Sequence, residues 1–297
     1  MTVSCSGLTS DTTGSPGKLR SHGLRAPTGD DLRQALRVGT TEPVELTWEA
    51  ACERAGLGHP LDDPSLDELE QLTEALRGIG GPAGLVGRAM GVRLATYRSI
   101  RARGGDARPP AWDWARSAMD TLLQTRTPGP AVIEEILSLD PFADTVRVEL
   151  DQAAARVAQR LGTALGGVSV VLGGALCLVG AYGGRGTWIA EARGNPLEWS
   201  FCATSVRTRE PYVVPDVQDD VIHRHNPTTV HDGVRSYAGA PLLTSRGEVL
   251  GSCCVIDVVP RAFTAEDVAV LQEEAAAIVA ELERRREARA AGQTTAG

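Results

Sequence analysis

A short segment, HRHNPTTVHD, holds three of the five histidines of the chain. They are His223, His225 and His231, and Asp219, Asp220 and Asp232 lie beside them. Imidazole and carboxylate groups bind Zn²⁺ and non-haem Fe²⁺, and one imidazole can bind haem iron. On an extended backbone His223 and His225 would point to the same side, whereas in a helix they would diverge. The segment therefore predicts either a metal or haem site with His223, His225 and His231 as ligands, or a solvated segment whose histidines form local hydrogen bonds.

The six cysteines lack the spacing of a zinc site or of a disulfide framework. Most of them lie in apolar runs, where cysteine behaves as a small hydrophobic residue, and this usage favours a reducing, cytoplasmic compartment. Cys253 and Cys254 are adjacent in a strand-like run, so their side chains should point to opposite faces of a sheet. Because a disulfide between such neighbours would be strained, we interpret both as strand residues rather than as a redox pair.

The composition indicates a soluble globular protein of about two domains, with 297 residues, of which 42% are hydrophobic and 23% charged. A net charge of −8 opposes non-specific binding to nucleic acid. Between residues 77 and 108, seven arginines and one aspartate form a basic stretch that fits either an acidic partner or the outer face of a helix. Because no helix-turn-helix pattern accompanies this stretch, we expect no nucleic-acid partner.

Residues 161–184 form an uncharged run of 24 residues, which is long enough to cross a bilayer. Eight of these residues are glycine, however, and Gly173-Gly174 divides the run into two strand-like halves. A Gly-Gly step between such halves is typical of a β-hairpin. We therefore expect a hairpin here and no membrane-spanning segment.

Helical periodicity dominates residues 30–123, as in the segment after Pro64, where Leu66, Leu69, Leu72 and Leu76 share one face. After a Pro-rich linker the pattern predicts helices at 131–139 and 146–165, the hairpin, a strand at 187–192, a helix at 198–208, a strand at 212–217, a second hairpin and a closing helix from 264. This order indicates an antiparallel α+β domain preceded by an all-α domain.

The closing helix carries an apolar stripe at alternating spacings of three and four. The stripe consists of Val268, Leu271, Ala275, Ile278 and Leu282. Such a stripe forms either a face that packs on the domain's own sheet or a coiled-coil seam about two heptads long. The second alternative predicts a homodimer through the terminal helices of the domain.

Short motifs in the second half of the chain occur in an order that resembles the GAF domain family. They are Phe201-Cys202, Val214 with Asp216 and Asp220, Asn226-Pro227, and residues 237–242, 250–257 and 260–263. The resemblance covers about residues 147–286 and implies a GAF-like antiparallel sheet flanked by helices. It also implies a small-molecule-binding or signalling module, but it does not name the ligand, because one fold hosts many ligands.

The resemblance and the composition together divide the chain. We expect a disordered tail (1–27), a helical N-terminal domain (28–127), a linker with a short helix (128–145), a GAF domain (146–287) and a second disordered tail (288–297).

In the GAF family the segment matching residues 218–233 often borders the ligand pocket, so the resemblance places a small-molecule site between this segment and the sheet. The candidate lining residues are Trp188, Phe201, Cys202, Asp216, Asp220, His223, His225, Tyr237 and Cys254. Trp188 and Phe201 also fit a hydrophobic core, because aromatic residues make up only 4% of the chain.

Features of particular GAF ligand classes are absent from the sequence. Cyclic-nucleotide-binding members carry an Asn-Lys pair, and the sole lysine, Lys18, lies outside the resembling region. The cysteine and histidine pattern differs from that of bilin-binding members, and the cysteines do not match the arrangement in free methionine sulfoxide reductases. These differences leave the ligand unassigned.

The sequence thus predicts a sensory or regulatory protein that binds a small molecule or senses redox state. Its signal would pass through the flanking helices to the helical domain or to a protein partner. The alternative is a metal- or haem-binding GAF protein, or an enzyme, that uses His223, His225 and His231. We assign no catalytic residues, so the sequence favours a role without catalysis.

Overall fold

A computed structural model of the protein describes residues 24–58, 60–102, 128–220 and 223–294. The helical piece predicted after Pro109-Pro110 and most of the first predicted tail lie outside these residues. The first domain contains α1 (Gly29–Gly39), α2 (Val44–Ala55), α3 (Leu66–Ile79) and α4 (Gly81–Ala102). Thr28 and Ser65 begin α1 and α3 with capping boxes, in which each hydroxyl accepts a hydrogen bond from the backbone N–H three residues later.

Helix α4 is buried on two sides, which explains why it has no continuous polar face. One side contributes Val86, Met90 and Leu94 to the core of the helical domain. The other side contributes Leu85, Ala89 and Val92 to the core beneath the sheet of the second domain. The two domains therefore share α4 as a packing element.

The second domain is α+β, with a single six-stranded antiparallel sheet in the order β3-β2-β1-β6-β5-β4. The strands are β1 (Leu165–Leu172), β2 (Ala175–Tyr182), β3 (Gly194–Pro196), β4 (Tyr212–Val214), β5 (Ser236–Leu243) and β6 (Val249–Asp257). The helices are α5 (Pro130–Leu139), α6 (Asp144–Leu161), α7 (Trp188–Ala192), α8 (Cys202–Thr208), α9 (Pro227–Asp232) and α10 (Ala265–Thr294). The prediction of an antiparallel α+β domain after a helical domain is confirmed.

The uncharged run forms the predicted hairpin of β1 and β2, which turns at Gly173-Gly174. Its glycines let α6 lie directly on the strands. A Cβ on Gly180 would lie 2.4 Å from the carbonyl oxygen of Leu150, and one on Gly166 would lie 2.1 Å from that of Ala154. In the part of the chain that the structure describes, no helix has the length and apolar character needed to cross a membrane.

Helices α6 and α10 cover one face of the sheet. The α10 residues Leu271, Ala275, Ile278 and Leu282 are buried there against the chain's own sheet. The apolar stripe of the closing helix thus forms part of the domain core. Helix α10 continues to Thr294, through most of the segment 288–297 for which we expected a disordered tail.

The structure differs from three of the predicted elements in type or in length. Residues 188–192 form helix α7 rather than a strand, because the Thr187 side chain accepts from the Ala190 N–H and caps a short helix. Helix α6 ends at Leu161 rather than at 165, because Gly162 adopts a left-handed conformation. Strand β4 ends at Val214, three residues earlier than predicted, just before Pro215, which has no N–H to donate.

Buried ion pairs hold the outer elements to this framework. Glu135 on α5 is 1% exposed and accepts from Arg246 in the β5–β6 turn and from Arg286 on α10, each at 2.8 Å. Between the two domains, Arg93 of α4 binds both carboxylate oxygens of Glu198 at 2.9 Å. The Glu135 contacts connect α5, the β5–β6 turn and α10, and the Arg93–Glu198 pair connects α4 to the segment before α8.

Candidate functional site

The second face of the sheet carries a compact, closely packed cluster of buried aromatic and thiol side chains beneath α8, which we call the aromatic pocket. Its core contains Phe201 and Cys202 at the start of α8, Tyr237 on β5 and Cys254 on β6. The ring of His223, from the segment before α9, stacks on Phe201 with a centroid distance of 4.0 Å. Five of the nine predicted lining residues therefore come together.

Aromatic rings fill the centre of the pocket. Phe201 also stacks on Tyr237 at 5.2 Å, and Tyr212 of β4 lies 6.1 Å from the rings of both Tyr237 and His223. Gly239 on β5 makes room for the tyrosine, since a Cβ there would lie 2.2 Å from Tyr237 Oη. This close approach explains why a glycine stands in the YAGAPL strand.

Two thiols meet at the floor of the pocket. The Sγ atoms of Cys202 and Cys254 are 3.8 Å apart, and both side chains are buried. Their shared hydrogen bond lowers the pKa of Cys202 to about 7, although burial opposes this shift. The same bond, together with burial, raises the pKa of Cys254 well above its ordinary value. The pair thus combines one thiol whose pKa is lowered by a hydrogen bond with a second thiol in contact with it.

The other two cysteines of the sheet lie on the opposite face. Burial raises the pKa of Cys177 to about 12 and also raises the pKa of Cys253. Cys253 belongs to the core under α6 and α10, whereas Cys254 belongs to the pocket. The prediction that these neighbours point to opposite faces is confirmed.

His223 is held by a turn that precedes α9. Its backbone N–H donates to Asp220 Oδ1 at 2.9 Å, and Asn226 Nδ2 lies 3.4 Å from its Nδ1. The Asn226 amide is oriented by Thr228, whose N–H donates to Oδ1 at 3.0 Å. Because an amide nitrogen can only donate, Nδ1 of the neutral ring accepts and Nε2 carries the proton. Burial lowers the pKa of His223 to about 4.

Two buried polar atoms in the pocket have no hydrogen-bond partner among the described residues. They are His223 Nε2 and Tyr237 Oη. Burial also raises the pKa of Tyr237 well above its ordinary value, so its hydroxyl stays protonated. Both atoms can therefore donate to an acceptor that reaches the pocket.

The remaining predicted residues lie elsewhere. Asp216 faces away from the rings and forms an ion pair with Arg235 at 2.7 Å. A carboxylate oxygen of Asp220 accepts a hydrogen bond from the His223 backbone N–H in the turn, and the His225 side chain is exposed. Trp188 is the first residue of α7, and its side chain lies outside the described part of the structure.

The three histidines do not form a common site. His223 is buried in the pocket, His225 is exposed and His231 lies in the last turn of α9. In the described ranges no group of three or more His, Cys, Asp or Glu side chains is arranged to hold a metal ion. Histidine spacing indicated chelation, but the turn at 223–225 separates the two rings.

Sequence reasoning missed Tyr212 and Asn226 as parts of this site. Asn226 caps α9 and donates from Nδ2 to the backbone oxygen of Trp199 at 2.9 Å, which anchors the segment that carries His223. The Asn-Pro pair was the available signal, because Asn is a preferred N-cap and Pro a preferred first helical residue.

Comparisons with known proteins match the second domain. A family model described as GAF domain matches residues 149–282. A cyclic di-GMP phosphodiesterase of Pseudomonas aeruginosa is 40% identical over 94 residues, which are 31% of this chain and 16% of that protein. The match therefore spans about a sixth of the relative's length.

Solved structures of low sequence identity also align with this domain. The GAF domain of an Acinetobacter phosphoenolpyruvate-protein phosphotransferase is 16% identical, with a TM-score of 0.41, and covers 56% of this chain and 92% of its own. The free methionine-R-sulfoxide reductase of Neisseria meningitidis, solved with its substrate, is 20% identical, with a TM-score of 0.41. The alignment covers 55% of this chain and 96% of the reductase chain.

Proposed function

Because residues 149–282 are a GAF domain, we propose that the protein is a sensory protein whose signal is the oxidation of the Cys202–Cys254 pair. The 3.8 Å contact between the two buried sulfurs carries the proposal. The resting state requires a reducing compartment, which agrees with the cytoplasm expected from the sequence.

The chemistry of the pair is a two-electron oxidation by a peroxide. The Cys202 thiolate attacks the O–O bond of hydrogen peroxide, becomes a sulfenic acid and releases one water after proton transfer. The Cys254 thiol then attacks the Cys202 sulfur, which forms the disulfide and releases a second water. The lowered pKa of Cys202 supports its role as the attacking thiol, since the thiolate is the nucleophile.

Closing the disulfide would move α8 toward the sheet. A disulfide bond is about 2.0 Å long, so the two sulfurs must approach by roughly 1.8 Å. Cys202 begins α8, while Cys254 lies in the central strand β6 and cannot follow. Arg209, at the end of α8, donates to the backbone oxygen of Gly247 in the β5–β6 turn. The same turn carries Arg246, which binds Glu135 together with Arg286.

These contacts provide a route by which oxidation would reach the helices. A shift of α8 would move the β5–β6 turn through the Arg209 contact. The turn would in turn move the ion pairs of Glu135, which hold α5 and α10. The oxidation state of the pair would then shift the equilibrium between two arrangements of these helices, as a regulatory output requires. The output would pass to the helical domain or to a protein partner.

The oxidation is tested by mapping disulfides with peptide mass spectrometry after a hydrogen peroxide titration. We expect the loss of two hydrogens in a peptide pair that joins Cys202 to Cys254, and its absence in Cys202→Ser and Cys254→Ser. The matched controls are Cys177→Ser and Cys253→Ser, which remove buried thiols from the opposite face and should leave the cross-link intact. A wild-type protein that oxidises elsewhere first, or not at all, would contradict the proposal.

A second candidate function is the binding of a small polar ligand in the same pocket. His223 Nε2 and Tyr237 Oη, both buried without a partner among the described residues, favour it. Such a ligand would accept from both groups and displace the packed rings. Thermal unfolding of His223→Gln and wild type with a panel of small carbonyl or carboxylate compounds tests it, since only wild type should be stabilised. Stabilisation of neither protein would contradict this candidate.

Dimerisation remains part of the proposal, through surfaces of α6 and α10 other than the buried stripe. Val148 on α6 is 61% exposed and offers one such apolar position. Light scattering on the purified protein tests the dimer. A monomer at all concentrations would contradict it and would leave the thiol chemistry unaffected.

A further inference from the structure

A cavity of about 380 Å³ lies between the helical domain and the sheet, on the face opposite the aromatic pocket. It is bordered by the end of α3, by α4, by the α5–α6 loop and the start of α6, by β2 and by the α7–β3 junction. Four arginines line it, from four different elements: Arg77, Arg88, Arg147 and Arg193. The acidic residues of the lining are Asp140 in the α5–α6 loop and Asp144 at the start of α6.

The arginines are only partly neutralised by neighbouring groups. Arg77 binds Glu74 at 3.0 Å, and Arg147 lies 3.9 Å from Asp151. Arg193 donates to the backbone oxygen of Leu178 at 3.2 Å. Arg88 stacks on Phe142 at 4.4 Å and has no carboxylate partner among the described residues. Within the lining itself, four arginines therefore face two aspartates, while Glu74 and Asp151 balance Arg77 and Arg147 from outside it.

Burial and mutual repulsion act on these guanidinium groups. Burial, followed by the charge of Arg77, lowers the pKa of Arg88, and burial, followed by the charge of Arg147, lowers the pKa of Arg193. Like charges that face one another in a partly desolvated cleft raise the free energy of the empty site. An anion placed between them would remove this cost.

The surrounding chain is shaped to hold the arginines in place. Gly91 of α4 leaves space for Arg77, since a Cβ there would lie 2.2 Å from its Nη2. Arg193 adopts a left-handed backbone with φ of 53°, and so does Asp140 with φ of 50°. Both residues are the C-caps of short helices, where a left-handed residue ends the helix.

We propose that this cavity binds a small phosphate-type oxyanion, such as the phosphate group of a phosphorylated metabolite. Guanidinium groups match phosphate oxygens because their planar forks donate two parallel hydrogen bonds. A bound anion would touch both domains, and it would link the arrangement of the helical domain to that of the sheet. This inference does not depend on the thiol chemistry of the opposite face.

Isothermal titration with inorganic pyrophosphate tests the site, with chloride at matched ionic strength as the reference anion. We expect wild type to bind, and Arg88→Gln and Arg193→Gln each to lose at least about tenfold in affinity. Arg160→Gln is the matched control, because Arg160 on α6 is partly exposed, pairs with Glu273 at 3.3 Å and does not line the cavity.

The result that overturns the proposal is an absence of binding to wild type, or equal binding by wild type and both cavity variants. If Arg88→Gln fails to fold, the affinity of Arg193→Gln for pyrophosphate decides between these outcomes. Thermal unfolding gives a second readout, since the same concentration of pyrophosphate should raise the midpoints of wild type and Arg160→Gln more than those of the cavity variants.

Discussion

Cys253 and Cys254 are neighbours in one strand, yet they belong to two regions with different physical character. Cys253 lies on the face covered by α6 and α10, where burial, followed by the charge of Glu274, raises its pKa. Cys254 lies on the pocket face, in contact with Cys202 and close to stacked rings. The comparison shows how alternation along a strand places one residue in the core under the helices and the next one beside the Cys202 thiol and the stacked rings.

The two faces also differ in how they are packed. On the helix face, the α6 backbone lies against glycines of β1 and β2, and buried ion pairs attach α5 and α10. On the pocket face, side chains meet side chains, and two polar atoms remain without partners in the described chain. We therefore expect changes on the helix face to cost stability, and changes on the pocket face to alter response.

The largest effect is expected from adding a methyl group on the helix face. Gly180→Ala would place Cβ 2.4 Å from a backbone oxygen of α6, which cannot move without displacing the helix. We expect a loss of about 3 kcal/mol in the free energy of unfolding, against about 1 kcal/mol for Gly239→Ala, where the Tyr237 ring can shift. Urea denaturation of both variants measures the difference, and equal losses would remove the distinction between the faces.

A buried carboxylate gives the next test. Glu135→Ala leaves Arg286 without its buried partner, so we expect a loss of about 3 kcal/mol. Glu134→Ala changes the exposed neighbour on the same helix and should stay within about 0.5 kcal/mol of wild type. If the two variants were equally stable, the ion-paired group could not hold α5 and α10 as described.

The pocket face should respond to pH through His223. Its pKa is about 4 in the folded protein, against about 6.5 when exposed, so the neutral ring stabilises the fold above pH 6.5 and this contribution falls as the pH drops toward 4. Between pH 7.5 and pH 5 the loss is about 2 kcal/mol. Urea denaturation should show this loss in wild type and in His225→Gln, whose ring is exposed, but not in His223→Gln. The same pH dependence in all three proteins would contradict the burial of His223.

Much of the difference between the two faces of the sheet could be predicted from the sequence. The order of motifs predicted the sheet, and the alternation in β6 predicted the two faces for Cys253 and Cys254. Phe201, Cys202, Tyr237 and Cys254 were identified because they lie within those motifs, and His223 because it lies in the segment 218–233 that the resemblance placed beside the pocket. The contact between Cys202 and Cys254 could not be predicted from spacing, because it joins residues 52 positions apart through the packing of α8 on the sheet.

Other features depend on tertiary packing in the same way. The basic stretch of residues 77–108 indicated an acidic partner or a helix face, but not that Arg77 and Arg88 would meet Arg147 and Arg193 across the domain boundary. The histidine segment suggested a metal site, because local spacing does not reveal that one ring turns inward and the next outward. The stripe of α10 fitted both a dimer seam and the domain's own core, and in the structure it packs in the core.

Hydrogen exchange of the reduced and peroxide-treated protein tests most directly whether the thiol pair acts as the sensor. The proposal predicts that oxidation changes exchange in α8 and also in α5 and α10, and that Cys254→Ser abolishes both changes while Cys253→Ser retains them. A change confined to α8, or an identical response in Cys254→Ser, would contradict it.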